Sequence, residues 1–145
     1  MNRGDFIKAC SGTCLGLVGI SLLVQSCVPY SVLASNSGNR LSIEKKEFAI
    51  EKNGKNKYRK FVLLTQDDST FPIVVYRNAE DQYKAFLLRC THQGNELSVH
   101  GEIITCSAHG SEFDKDGNVI EGPAEENLKS FPVTFDADNI YIQLS

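Results

Sequence analysis

Tryptophan is absent, proline occurs only four times, and three of the five cysteines fall at the start of the chain. Cys10, Cys14 and Cys27 fall within the first 27 residues, which leaves Cys90 and Cys106 as the remaining thiols. Two cysteines cannot form a disulfide framework, and if both serve as ligands not even one bridge is available. Positive charge is not in excess: 15 Lys and Arg stand against 18 Asp and Glu, a net charge of −3 that becomes −4 when residues 1–26 are set aside. This balance argues against a nucleic-acid-binding protein. Internal repeats are lacking as well. What is left, residues 41–145, is the length of one domain.

The pattern of that domain is all-β. Short apolar or alternating runs are separated by turn residues throughout. Strands are expected at Phe61–Leu64, Phe71–Tyr76, Tyr83–Leu88, Glu102–Thr105, Glu112–Asp114, Asn118–Ile120, Phe131–Phe135 and Asn139–Leu144. Asn53-Gly54 and Asp116-Gly117 are hairpin turn signals, because both residues tolerate positive φ. Lys45 to Lys60 mixes both signs of charge and reads as a solvated strand-turn region. Eight to ten strands in two or three small antiparallel sheets are expected.

Two clusters carry the chemistry: Cys90-Thr91-His92 and Cys106-Ser107-Ala108-His109, with 13 residues between His92 and Cys106. Two thiolates and two imidazoles in this order suit a metal centre. Structural zinc is one option, although zinc sites usually place like ligands together, as C-x(2–4)-C and H-x(3–5)-H. A nucleophilic Cys–His pair is another, and it leaves one cluster idle. Each histidine is followed closely by glycine, Gly94 and Gly110, and each cluster directly follows an expected strand. A third histidine, His100, fits no ligand spacing and reads as an exposed residue of a hairpin turn at Ser98–Glu102.

The pattern C-x-H…C-x-x-H resembles the binding motif of the Rieske iron–sulfur proteins. The resemblance implies one 2Fe–2S cluster, with Cys90 and Cys106 on one iron and His92 and His109 on the other. It implies a fold of small antiparallel sheets with two cluster loops, and a third, proline-bearing loop at Gly122-Pro123-Ala124 that covers the cluster. Ser111 matches a serine whose hydroxyl can donate to a bridging sulfide. High-potential members carry a disulfide between the two loops, whose cysteines would fall at Asn95 and Ala108, and a tyrosine where this chain has Phe113. Both features are missing, so Ser111, Phe113 and Pro123 are the residues expected to tune the cluster, at an intermediate potential.

The N-terminus has a different character. After Arg3, Asp5 and Lys8 no charge appears from Ala9 to Asn39, and Cys14–Val24 is apolar. A charged start, a short apolar core and a small-residue junction read as an export signal over residues 1–26. The opening resembles a twin-arginine signal with Gly4 in place of the second arginine. Leu23-Val24-Gln25-Ser26-Cys27 resembles a lipoprotein cleavage site, which would leave Cys27 lipid-modified. An uncleaved membrane helix and a simple cleaved signal are the alternatives; the clearly apolar run falls short of the 18 or so residues a span needs. Residues 27–40, ending in Ser, Asn and Gly, read as a flexible tether.

Together these features predict an exported protein of the cell envelope, on the periplasmic side and tethered to the membrane. It would carry one electron at a time through a Rieske 2Fe–2S cluster, between redox protein partners and without a substrate site of its own. Alternatives are a Rieske subunit of a larger oxidoreductase, either quinol-oxidising or the partner of a molybdenum enzyme, and a structural zinc module.

Overall fold

A computed structural model describes residues 29–52, 54–66 and 71–144. The expected export signal over residues 1–26 and the expected lipidation site Cys27 lie outside the described residues. Fifteen short strands and one 3-10 turn make up the domain among the described residues. The first sheet has five strands in the order β1-β6-β7-β8-β13. These are β1 (Ser31–Leu33), β6 (Phe61–Thr65), β7 (Ile73–Ala79), β8 (Gln82–Leu87) and β13 (Ser130–Phe131). The second sheet follows the order β12-β11-β10-β9. It comprises β9 (Ser98–His100), β10 (Ile103–Thr105), β11 (Glu112–Asp114) and β12 (Val119–Glu121). The third, β14-β15-β3-β2, joins β2 (Ser35–Ser37), β3 (Arg40–Glu44), β14 (Val133–Phe135) and β15 (Asn139–Gln143). The hairpin of β4 (Ala49–Lys52) and β5 (Lys55–Tyr58) is the fourth.

The continuous apolar run on β7 explains how these sheets combine. Successive strand side chains point to opposite faces, and here both faces are buried. Ile73 and Val75 enter one core with Leu41, Val62, Ile140 and Ile142. Val74 and Tyr76 enter a second core with Phe86, Leu88, Ile104 and Phe113. The second core also contains Cys90 and Cys106. The first sheet therefore acts as a partition, with the third sheet packed on one face and the cysteine-bearing second sheet on the other.

The all-β expectation holds, and three local expectations change. Phe131–Phe135 is not one strand: Phe131 pairs with β8 while Val133–Phe135 pairs with β15. Pro132 sits at the break, where its missing N–H and fixed φ interrupt a ladder. Residues 27–40 are not simply a tether, because β1 pairs in parallel with β6 and β2 pairs with β3. Leu63 N donates to Tyr30 O at 3.0 Å, so pairing begins as early as Tyr30. Ser and Asn in edge strands look like linker because main-chain pairing needs no apolar side chain. Among the described residues the sheets number four rather than two or three, and the strands fifteen rather than eight to ten.

Candidate metal centre

The two Cys–His loops are the same hairpin built twice. In the first, Arg89 bridges Glu96, Cys90 N donates to Asn95 O at 2.8 Å, and Gly94 N donates to Cys90 O at 2.8 Å. In the second, Thr105 pairs with Glu112, Cys106 N donates to Ser111 O at 2.8 Å, and Gly110 N donates to Cys106 O at 2.9 Å. Each loop thus returns to its own cysteine within five residues. That reversal needs a left-handed residue, supplied by Gly94 at φ 75° and Gly110 at φ 82°. A Cβ at Gly94 would also press on the Arg89 guanidinium at 3.0 Å, which would have to shift. The loops differ in one respect. The histidine stands two residues after the cysteine in the first and three after it in the second.

This offset accompanies a close approach of the imidazoles. The rings of His92 and His109 meet edge to face, 4.9 Å between centroids. His109 is exposed and His92 partly so, whereas Cys90 and Cys106 are 3% and 2% exposed. Of the four expected ligands, the two thiols are buried in one core and the two imidazoles lie against each other toward the surface. Among the described residues no three His, Cys, Asp or Glu side chains converge as they would around a single metal ion. A thiol pair and an imidazole pair is the donor set that a two-iron cluster asks for. His92 Nδ1 gives a further indication: it is buried and has no hydrogen-bond partner. A buried nitrogen without a partner is costly in a folded protein, and a metal bond would satisfy it.

The proline loop holds the two hairpins together. Ala124 N donates to Ser111 Oγ at 3.0 Å, and Thr91 Oγ1 donates to Glu126 O at 2.7 Å. One bond reaches each cluster hairpin. Ala124 and Leu128 are buried in the core that contains both cysteines, and Pro123 is exposed on the rim. The loop is itself fixed from behind: Leu128 N donates to Gly117 O at 2.8 Å, and Asn127 Oδ1 accepts from Val119 N at 3.0 Å. Gly117 lies in the expected Asp116-Gly117 turn between β11 and β12. Asp114 braces that turn by accepting from the backbone of Asp116 and Asn118. Partial burial opposes ionisation of Asp114, and the hydrogen bonds from Asn118 and Asp116 outweigh it, so the carboxyl stays below its usual range.

Sequence reasoning identifies Ser111 but misses Thr91, Asn127 and Leu128. Glu125-Glu126-Asn127-Leu128 has no motif, and the only available signal was the Gly-Pro pair ahead of it. Ser111 is fully buried, and its oxygen accepts from the proline loop while its O–H remains to donate. Phe113 is also fully buried, in the same core as the cysteines. Asn95 and Ala108 are exposed and carry no thiol. His100 ends β9 and is exposed, as expected. A cleft of about 430 Å³ opens beside the first hairpin, between Arg89, Thr91, His92, Gly94, Glu126 and Lys129.

Comparison with known proteins agrees with this geometry. Over 53 residues the chain is 38% identical to the cytochrome b6-f complex iron-sulfur subunit of Synechococcus sp. strain JA-2-3B'a(2-13), a match covering 35% of this chain and 31% of that subunit. It is 32% identical over 65 residues to the biphenyl 2,3-dioxygenase subunit alpha of Rhodococcus jostii strain RHA1, covering 42% of this chain and 14% of the relative. The chain therefore spans about a third or less of the length of these relatives. Among solved structures, the plasma membrane Rieske protein PetC3 of Synechocystis PCC 6803 aligns with a TM-score of 0.50 at 24% identity, over 58% of this chain and 86% of that one. The quaternary ammonium Rieske monooxygenase CntA aligns with a TM-score of 0.53 at 18% identity, over 71% of this chain and 31% of that one. These two likenesses concern the fold. The family description "Rieske [2Fe-2S] domain" matches residues 43–132, from β3 through both hairpins and the proline loop. That span sets the zinc reading aside and makes a 2Fe–2S cluster the cofactor. With the motif, the paired loops and the match in agreement over most of the domain, the chain belongs to the Rieske iron–sulfur family, whose domain transfers electrons.

Proposed function

We propose that the protein is an exported electron carrier, held at the membrane through Cys27, that exchanges single electrons with redox protein partners at the His92–His109 edge. The observation that carries this reading is the arrangement of the site: Cys90 and Cys106 buried, and the two imidazoles paired toward the surface. Cys90 and Cys106 would hold one iron of the cluster and His92 and His109 the other, and the cluster would supply one-electron chemistry there. Cys90 and Cys106, packed among Leu88, Leu97, Ile104 and Phe113, keep water from the inner side. His92 and His109 bring the conjugated edge of the site to the surface, where a partner can approach closely. Thr91 and Ser111, tied to the proline loop, keep the two hairpins in register while the charge changes.

The missing Cys at Asn95 and Ala108, and Phe113 in place of tyrosine, weigh against a quinol-oxidising role. The alternative, a component of a larger oxidoreductase, is supported by likeness to a subunit of the cytochrome b6-f complex and to a dioxygenase subunit alpha. Pairing of β1 limits the swing of a lipid-anchored domain. Between Cys27 and Ser31 only three residues remain, which extend to about 10 Å. The partner must therefore work close to the same membrane.

Purification from native membranes tests the reading. The protein should contain about two iron atoms and two sulfides per chain, give the Rieske type of electron paramagnetic resonance signal when reduced, and begin at a lipid-modified Cys27. A stable large subunit that co-purifies would replace the carrier by the subunit reading. An unmodified chain that still begins at Met1 would replace the lipid by an uncleaved helix.

A further inference from the structure

Arg89 stands immediately before the first cluster cysteine and carries a positive charge at every working pH. Its main chain is fixed. It bridges Glu96 across the hairpin, and Arg89 N donates to Leu87 O at 2.9 Å. The side chain is exposed, yet it is held in place. The guanidinium lies over the Phe71 ring, 5.6 Å from its centroid. It also lies over Gly94: an added Cβ there would be 3.0 Å from Nε and Nη2 and 3.4 Å from Cζ. The planar group therefore covers the turn rather than touching it with a single atom. That turn is the left-handed residue through which the hairpin returns to Cys90.

The charge of this guanidinium is not cancelled by a carboxylate. The four ion pairs among the described residues all lie outside the two cluster hairpins. Two acids come near Arg89 without pairing with it: Glu96 across the bridge, and Glu126 on the far wall of the adjoining cleft. That cleft, about 430 Å³, is lined by Arg89 together with Cys90, His92 and Gly94, and Lys129 adds a second cation to it. Reduction of a centre held by this hairpin adds one negative charge. A cation that lacks a carboxylate partner interacts more favourably with the reduced than with the oxidised state. A paired cation would have much of its field offset by its own partner.

We propose that Arg89 is a positioning residue of the electron-transfer site: its guanidinium, laid over Gly94, pins the first hairpin, and its unpaired charge favours the reduced state. The proposal deepens the electron-transfer reading and rests on it through the 2Fe–2S cluster, independently of the anchor at Cys27. One electron enters on reduction, no bond at Arg89 forms or breaks, and the guanidinium keeps its protons in both states. Arginine suits both tasks. It stays charged and its flat face stacks, whereas a lysine ammonium is a compact point charge that leaves the turn uncovered.

The test is voltammetry on the full, cluster-loaded chain and on its Arg89→Gln and Arg89→Lys variants, with the electrode supplying the electron. Circular dichroism checks the fold, and loss of the visible spectrum to a chelator reads the hold on the cluster. Arg89→Gln should lower the midpoint by the equivalent of about a threefold change in the reduction equilibrium, the size of a screened surface charge interaction. The gap to wild type should widen at low salt and narrow at high salt. Arg89→Lys should keep the wild-type midpoint and still lose the cluster faster, because the turn is no longer covered. A midpoint unchanged in Arg89→Gln, or lowered equally in both variants, would overturn the role of the charge. Equal rates of cluster loss in Arg89→Lys and wild type would overturn the pinning. Should Arg89→Gln fold but hold no cluster, retention by Arg89→Lys supports the charge, and loss from both variants overturns it. A wild-type chain that takes up no iron and sulfide would overturn the cluster reading itself, whatever the variants do.

Discussion

Ser111 Oγ accepts the amide proton of Ala124 at 3.0 Å, which couples the second cluster hairpin to the proline loop. Both residues are buried. Replacing Ser111 by Ala removes the acceptor and strands the Ala124 amide, at a cost of about 1–3 kcal/mol. For a domain of about 100 residues each kcal/mol lowers Tm by about 4–8 °C. The same change removes an O–H that can donate to a sulfide, so the midpoint potential should fall. Calorimetry and voltammetry on the same preparation separate the two effects. A lower Tm with an unchanged potential would show that the Ser111 hydroxyl acts only on the loop.

The potential itself should be intermediate. Rieske centres span roughly −150 to +300 mV. With Ser111 kept, and with Phe113 and no inter-loop bridge, we expect a value on the order of 0 to +150 mV within that range. Phe113→Tyr should raise it. If the new donor favours the reduced site by about 1 kcal/mol, the one-electron couple moves up by about 40–50 mV. A wild-type midpoint near the top of the family range would return quinol oxidation as the leading role.

Thr91 ties the first cluster hairpin to the proline loop through its bond to Glu126 O, at 2.7 Å. Thr91→Val, nearly the same in volume, should destabilise by about 1 kcal/mol and speed loss of the visible cluster spectrum on heating or with chelator. Thr91→Ser should restore the wild-type rate. If Val and Thr lose the cluster equally fast, the tie does not limit retention.

His92→Ala and His109→Ala should each abolish the Rieske spectrum while the β-sheet signal in circular dichroism persists. The domain has a separate core, formed by Leu41, Val62, Ile73 and Ile140, that does not touch the site. Retention of an unaltered signal in either variant would remove that histidine from the ligand set.

Asp136 is expected to contribute to the loss of stability in acid. Its carboxylate accepts from Tyr141 Oη at 2.7 Å and from the backbone of Asn139 and Asp138 at 2.7 and 2.9 Å. These bonds, the Tyr141 bond first, hold its pKa down at about 2. A carboxyl lower in the folded than in the unfolded chain contributes stability above about pH 4, and that stability is lost as pH falls toward the folded value. Asp136→Ala should therefore lower Tm at neutral pH, and the gap to wild type should shrink between about pH 4 and pH 2. A gap that stays constant over that interval would mean that the charge of Asp136 is not what secures the β14–β15 turn.

The sequence alone determined the donor chemistry and the places where the chain reverses. Cys and His are the only residues here that make such a donor set, and Gly94, Gly110 and Gly117 stand where the backbone must turn left-handed, so both were readable from residue type. Strand positions were legible wherever an apolar run had a single fate, as in Phe61–Thr65 and Glu112–Asp114. Long-range pairing was not. Nothing local in Ser31–Ser37 says that it joins β6 and β3 rather than hanging free, because a main-chain ladder is indifferent to side chains. Nothing in Thr91 or Glu126, 35 residues apart, announces their bond. Only the tertiary structure brought the two hairpins together as one repeated unit and set His92 against His109. Those relations depend on which strands share a sheet, and that is decided by the burial of two cores against one partition rather than by any short stretch of sequence.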